Sequence, residues 1–187
     1  LAFAAPPSQR REVPAATLAE VLPALGLAPA QPRRAQWLDN GPLWLGLQLD
    51  SADTVLALAP DHARLAALGC KVGVAGARGG AGSGALIARS NREARAFGAV
   101  AARADDALIE VRAFAAPIGV PEDPVTGSLN ASLAQWLIEA GELPARYVAS
   151  QGTALGRAGR VHVERDAQGQ VWVGGDCVAV IGGQVRL

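Results

Sequence analysis

Methionine is absent from the 187-residue sequence, cysteine and histidine each occur twice, aromatic residues make up 4%, and the formal net charge is zero. Each scarcity removes a class of protein. With no basic excess there is no electrostatic footprint for nucleic acid or an anionic membrane surface. No apolar run approaches the roughly 20 residues of a membrane-spanning helix. Leu1–Pro6 is apolar but has neither a basic flank nor a cleavage pattern, so it does not read as a signal peptide. Cys70 and Cys177 lack CxxC spacing, which favours two reduced, buried thiols in a cytoplasmic protein over a disulfide framework. His62 and His162 have no second ligand at metal spacing, so no metal is expected. A native reading frame begins with methionine; a chain that begins with Leu1 is expected to lack its natural N-terminus. What is present is a half-hydrophobic chain, long enough for one large domain or two small ones around a real core.

Periodicity divides the chain into many short strands and few helices. Leu1–Ala5 reads as a strand closed by Pro6-Pro7. "PAATLAEVLPALGL" (14–27) has helical spacing, with Thr17 as the expected cap, Gly26 as the stop and Pro23 in the last turn. "RAQWLD", Asn40-Gly41-Pro42 and "LWLGLQLD" form an expected hairpin, its leucines alternating at 43, 45, 47 and 49. "TVLALA" (54–59) reads as a strand, "PDHARLAAL" (60–68) as a short helix, and "KVGVAGA" (71–77) as a strand. "RGGAGSG" (78–84) is the most flexible composition in the chain; it lacks the GK[ST] ending of a phosphate loop. "ALIARS" and "EVRAFAAP" read as strands, and the segment after Gly159 as a meander of three or four. "EARAF" (93–97) and "EVRAF" (110–114) echo one another too briefly to make a repeat. Trp37, Trp44, Trp136 and Trp172 are scattered, as core or interface residues are, and form no stacking platform. The sum is α+β, without a strict βαβ rhythm.

One segment stands apart. In "GVPEDPVTGSLNASLAQWLIEAG" (119–141) the apolar residues from Leu129 cover most of the helix circumference, so protein must surround it. The expected architecture is a curled sheet or barrel around a buried central helix at about 127–140. Such a helix still begins with unpaired N–H groups. Asp123, Thr126 and Ser128 can cap them. The same groups, with the helix dipole, also suit a carboxylate or phosphate, and Gly127 lets a ligand come close. The acid pair Glu122-Asp123 beside a dry core requires a partner.

"EDPVTGSLNASLAQWL" (122–137), with "EVRAFA" before it and "YVASQGTALGRAGRVHV" (147–163) after it, resembles the PhzF-like phenazine-biosynthesis isomerase family. "VWVGG", "WLDNGPLWL" and "LAFAAPP" extend the resemblance over nearly the whole chain, apart from roughly 78–106. The resemblance implies a diaminopimelate-epimerase-like fold of two similar domains, each a sheet around a central helix, with the active site between them. It implies a proton shift or epimerisation beside a carboxylate, by acid–base catalysis without metal or organic cofactor. By the same resemblance Asp123 is the catalytic partner, and Gly127 and Ser128 bind a small carboxylic-acid substrate. Thr126, Asn40, Gly41 and Arg157 are candidate contacts, Arg157 as an anion partner or as a surface ion-pair residue.

The family's principal proton-transfer glutamate, and its GHPT-like loop, are not found here; "NREARAF" does not match. The chain is therefore expected to be the C-terminal portion of such an enzyme, with the N-terminal domain outside it, and inactive alone. Thiol-pair relatives on this fold carry a cysteine where DPVTGS stands here, so the resemblance does not point to a thiol-pair racemase. Two-domain members commonly form homodimers, the expected assembly here. The competing reading is a catalytically inert carboxylate-binding or assembly module.

Overall fold

In a computed structural model, residues 1–79 and 107–184 are described. Among them the strands are β1 (Ala2–Ala4), β2 (Gln9–Arg11), β3 (Arg34–Asp39), β4 (Leu43–Gln48), β5 (Val72–Ala77), β6 (Ile109–Ala115), β7 (Val120–Asp123), β8 (Arg146–Gln151), β9 (Gly159–Arg165) and β10 (Val171–Gly174). The α-helices are α1 (Ala15–Ala24), α2 (Ala52–Leu56), α3 (His62–Ala67) and α4 (Gly127–Glu139). The strands form one mixed ten-stranded sheet in the order β1-β10-β9-β8-β6-β5-β4-β3-β2, with β7 paired to β6 off that path. Only β4–β5 and β6–β8 run parallel among these pairs.

Strand alternation sends side chains to two separate cores. Trp44, Ala75, Ile109, Val111, Ala113, Tyr147, Val161 and Val173 join Leu129, Leu133, Trp136 and Leu137 of α4 on one face. Leu45, Leu47, Val72, Val74 and Phe114 pack with Val21, Leu22, Val55 and Leu65 of α1–α3 on the other. The α4 side chains are buried nearly all round, as the sequence requires; burying each large one is worth about 1.5–3 kcal/mol. Close approach is secured by Gly73, where an added Cβ would lie 2.2 Å from Leu129 Cδ1.

The expected barrel does not close. The path is open, ending at the three-residue strands β1 and β2, and the intervening Pro6-Pro7 cannot donate to a ladder. α4 holds this connection instead: the Gln135 amide donates to Pro6 O (3.0 Å) and accepts from Ser8 N–H (3.1 Å), and Arg10 pairs with Glu139 at 2.7 Å.

Other expectations are corrected locally. Residues 54–59 are not a strand: Ser51 Oγ accepts from Thr54 N–H (3.2 Å) and starts α2, which buries Ala52 and Val55 one turn apart. α1 begins after Pro14 with no side-chain cap, so Thr17 lies inside the helix. Among the described residues no strand follows Gly174, where β10 is already paired on both edges by β9 and β1. Cys70 is half-buried and Cys177 exposed; both are free thiols, and neither is fully buried as expected. The "ALIARS" expectation and most of the Gly-rich run lie outside the described residues.

Candidate functional site

β5 occupies one edge of β6 from Ile109 to Phe114, so β7 and β8 must share the other edge. β8 pairs with Ile109–Val111 and ends at Gln151; β7 pairs beyond it, with Asp123 opposite Ala113. The two strands therefore abut end to end, and Gln151 meets Asp123. The fully buried Gln151 amide donates to Asp123 O (2.9 Å) and Thr126 Oγ1 (3.0 Å), and accepts from Thr126 N–H (3.1 Å) and Asn130 Nδ2 (2.8 Å). Its orientation is fixed by its neighbours, since a main-chain carbonyl only accepts and a main-chain N–H only donates. Asn130 also donates to Thr126 O at 2.9 Å, which ties the first turn of α4 to the same knot.

The acid pair splits at this junction. Glu122 turns toward α2 and takes a bidentate pair from Arg112, Nε to Oε1 at 2.9 Å and Nη2 to Oε2 at 2.8 Å, with both side chains about 5% exposed. Arg112 Nη1 also donates to Val55 O (3.2 Å), in the last turn of α2, and to Leu58 O (2.8 Å), just past its end. Glu122 thus has the partner that burial demands and no capacity left for chemistry. Asp123 points the other way. Its Oδ2 accepts the Thr126 hydroxyl at 2.9 Å, and its Oδ1 has a long 3.4 Å approach from Val125 N–H.

The start of α4 is open. None of the three polar residues caps it, contrary to the sequence expectation: Thr126 is the N-cap but makes no side-chain cap bond. Its hydroxyl is used by Asp123, and Ser128 Oγ accepts from Trp44 Nε1 at 3.2 Å. Among the described residues no acceptor meets the N–H of Gly127, Ser128 or Leu129. Because Ser128 Oγ accepts from Trp44, its own proton is available to another group.

The remaining candidates arrive from two turns. Asn40, in the β3–β4 turn, donates to Ser128 O at 2.9 Å. Gly41 follows at φ 113°, its N–H on Asp39 Oδ1, and makes no bond to α4. The Gly152–Gly159 loop lies against Pro124-Val125 so closely that a Cβ on Gly152, at φ 90°, would meet Pro124 O at 2.8 Å. Arg157 is exposed on this loop, with its N–H on Gly152 O and its guanidinium unpaired among the described residues. Phe3 lies against Gly127, and Phe3, Val125 and Leu155 are apolar side chains left between 42% and 46% exposed. Thr126 is buried, so it builds the site from behind.

Sequence reasoning missed Gln151, Asn130, Trp44 and Arg112. No local pattern in the sequence marks Gln151, which closes β8 and reaches Thr126 through strand adjacency. The histidines lie elsewhere: His62 packs 6.0 Å from the Phe114 ring and His162 is exposed on β9. No group of metal-binding side chains occurs among the described residues, and no helix among them is long and apolar enough to cross a membrane.

Comparison with known proteins converges on one family. The PhzC-PhzF family, described as phenazine biosynthesis-like protein, matches residues 1–183. An uncharacterized isomerase of Pseudomonas aeruginosa is 35% identical over 184 residues, covering 97% of this chain and 56% of that protein. An uncharacterized isomerase of Clostridium acetobutylicum is 34% identical over 99 residues, 48% of this chain and 32% of its own length. In structure, the chain is similar to the phenazine biosynthesis PhzF-family protein of Bacillus anthracis, with TM-score 0.66, 13% identity, and coverage of 92% of this chain and 56% of that one. The PhzF-family protein of Enterococcus faecalis gives TM-score 0.58 at 20% identity, over 92% and 52%. The chain thus spans at most a little over half the length of these relatives.

Proposed function

The chain belongs to the phenazine biosynthesis-like PhzC-PhzF family, and from that premise we propose that it supplies one wall of an isomerase or epimerase site. The reaction is a cofactor-independent proton shift at the carbon beside a substrate carboxylate. The observation that carries this reading is the open start of α4, three N–H groups without acceptors beside the half-buried Asp123. A small carboxylate fits there: the helix dipole and the N–H groups of Gly127, Ser128 and Leu129 stabilise its charge, and the Ser128 hydroxyl adds a donor. When the neighbouring carbon loses its proton, negative charge grows toward those same donors, which lowers the barrier. Asp123 exchanges protons with the substrate as general acid or base. Asn40 steadies the first helical turn, while Gly41 and Arg157 line the approach, Arg157 as a second anion partner.

The principal proton-transfer glutamate belongs, on this reading, to an N-terminal domain outside the chain. Sheet and central helix form one of two similar wrapped domains, the site opens between them, and the full protein works as a cytoplasmic homodimer. Two measurements test the proposal. Titration of the 187-residue chain with benzoate is expected to move the amide NMR signals of Gly127–Leu129 before any others; unmoved signals reject the carboxylate site. In protein that includes the upstream half, deuterium uptake from D2O beside the substrate carboxylate is expected to fall at least tenfold in Asp123→Asn. Unchanged uptake removes Asp123 from the chemistry, and benzoate binding without any uptake favours a binding module.

A further inference from the structure

Thr126 Oγ1 stands between two groups of unequal character. On one side the Gln151 amide nitrogen donates to it at 3.0 Å; on the other it lies 2.9 Å from Asp123 Oδ2. A hydroxyl has one proton. Gln151 Nε2 cannot accept that proton, so it is directed onto Asp123 Oδ2. The direction of Gln151 is itself not free, since its Nε2 meets the carbonyl of Asp123 and its Oε1 meets the N–H of Thr126.

Resting on the isomerase reading above, we infer that Gln151 is a positioning residue that acts through Thr126. It turns the Thr126 hydroxyl onto Oδ2 of Asp123 and so presents Oδ1 as the oxygen that meets substrate. Oδ1 has only the 3.4 Å approach from Val125 N–H among the described residues, a contact too long to compete with an incoming donor. The carbonyl of Asp123 is held by the same amide, so main chain and carboxylate are set together. The reach of this control is short. Gln151 ends β8 and Asp123 ends β7, and the two strands share one edge of β6, so no mobile element separates the controlling residue from the controlled one.

Gln151→Glu is the discriminating variant. It preserves shape and keeps an acceptor for Thr126 N–H, but replaces the donor facing Thr126 Oγ1 with an acceptor. The hydroxyl then has two acceptors, and its donation is divided between them. The readout is the Asp123 carboxyl 13C signal of the 187-residue chain at pH 7, which reports donation to Oδ2. Thr126→Val is expected to displace this signal and Thr126→Ser to leave it in place. Gln151→Glu is expected to displace it in the same direction as Thr126→Val, and the double variant to add no further displacement. An unmoved signal in Gln151→Glu, or additive displacements, overturns the inference. Because Gln151→Glu puts an acid at a fully buried position, a second measurement needs no variant. In wild type, a through-bond correlation is expected from the Thr126 hydroxyl proton to the Asp123 carboxyl carbon; correlation to the 151 side chain instead overturns the inference. Benzoate titration of the same samples separates the two claims. Loss of the amide response at Gly127–Leu129 with the hydroxyl correlation intact sinks the function, not the relay.

Discussion

Two short helices on one face of the sheet, α2 and α3, begin in the opposite way from α4 on the other face. Ser51 Oγ accepts from Thr54 N–H at 3.2 Å and Asp61 Oδ1 accepts from Arg64 N–H at 2.9 Å, so α2 and α3 each have one first-turn donor satisfied by the N-cap side chain. On the other face, the same kinds of residue, Asp123, Thr126 and Ser128, stand at the start of α4, yet none of them caps it. They bond instead to one another, to Gln151 and to Trp44, which leaves the helix start unfilled. The short helices depend on their caps, having only five and six residues. α4 does not, because its thirteen residues are held by burial on nearly all sides. Stability obtained from packing makes a side-chain cap at the polar end dispensable.

Breaking the boundary between the two faces is expected to have the largest effect. Arg112→Ala leaves Glu122 as an unpaired buried charge and removes the side-chain donor from Val55 O and Leu58 O. The expected loss is about 3–5 kcal/mol, read as a lower urea midpoint with little change in slope. Removing a cap on the first face is milder. Ser51→Ala and Asp61→Ala are each expected to cost about 1 kcal/mol. Benzoate binding at α4 should be unaffected in both; a weakened response would show that the two faces are coupled. The smallest effect is expected in the α4 core. Tyr147 is buried, its hydroxyl has no partner among the described residues, and burial raises its phenol above the ordinary value near 10. A raised folded value means that its stabilising contribution is complete below the unfolded value and declines as pH rises past about 10. Tyr147→Phe is therefore expected to be within about 1 kcal/mol of wild type at pH 7, and to lose less stability than wild type between pH 10 and 12, measured by thermal melts.

The sequence makes some of this legible and hides the rest for a physical reason. α4 is visible because a helix apolar all round has one home, and the β3–β4 hairpin because its leucines alternate on either side of Asn40-Gly41. Asp123, Gly127 and Ser128 stand together in the chain, and a local pattern finds them. Gln151 does not: it reaches Thr126 across 25 residues, through strand adjacency that no periodicity encodes. Glu122 finds Arg112 only because β7 folds back on β6. The 54–59 error has the opposite origin. A short apolar run fits strand and helix equally well, and the serine before it decides the matter.

The division of labour within the acid pair has a consequence for how this stretch can change in length. Neighbours in a strand face opposite ways, so Glu122 and Asp123 hold their separate assignments only while β7 keeps its register on β6. Inserting or deleting one residue between Gly119 and Asp123 would exchange the two faces, placing the shorter acid toward Arg112 and the longer one toward Thr126. Both arrangements keep the composition, the net charge and the motif letters nearly intact, yet the second misaligns every contact described here. The spacing from Arg112 to Thr126 is therefore a reading frame in the folded chain: insertions should be tolerated in the exposed turn at Ile118-Gly119 only when they are long enough to loop out and leave that frame unshifted.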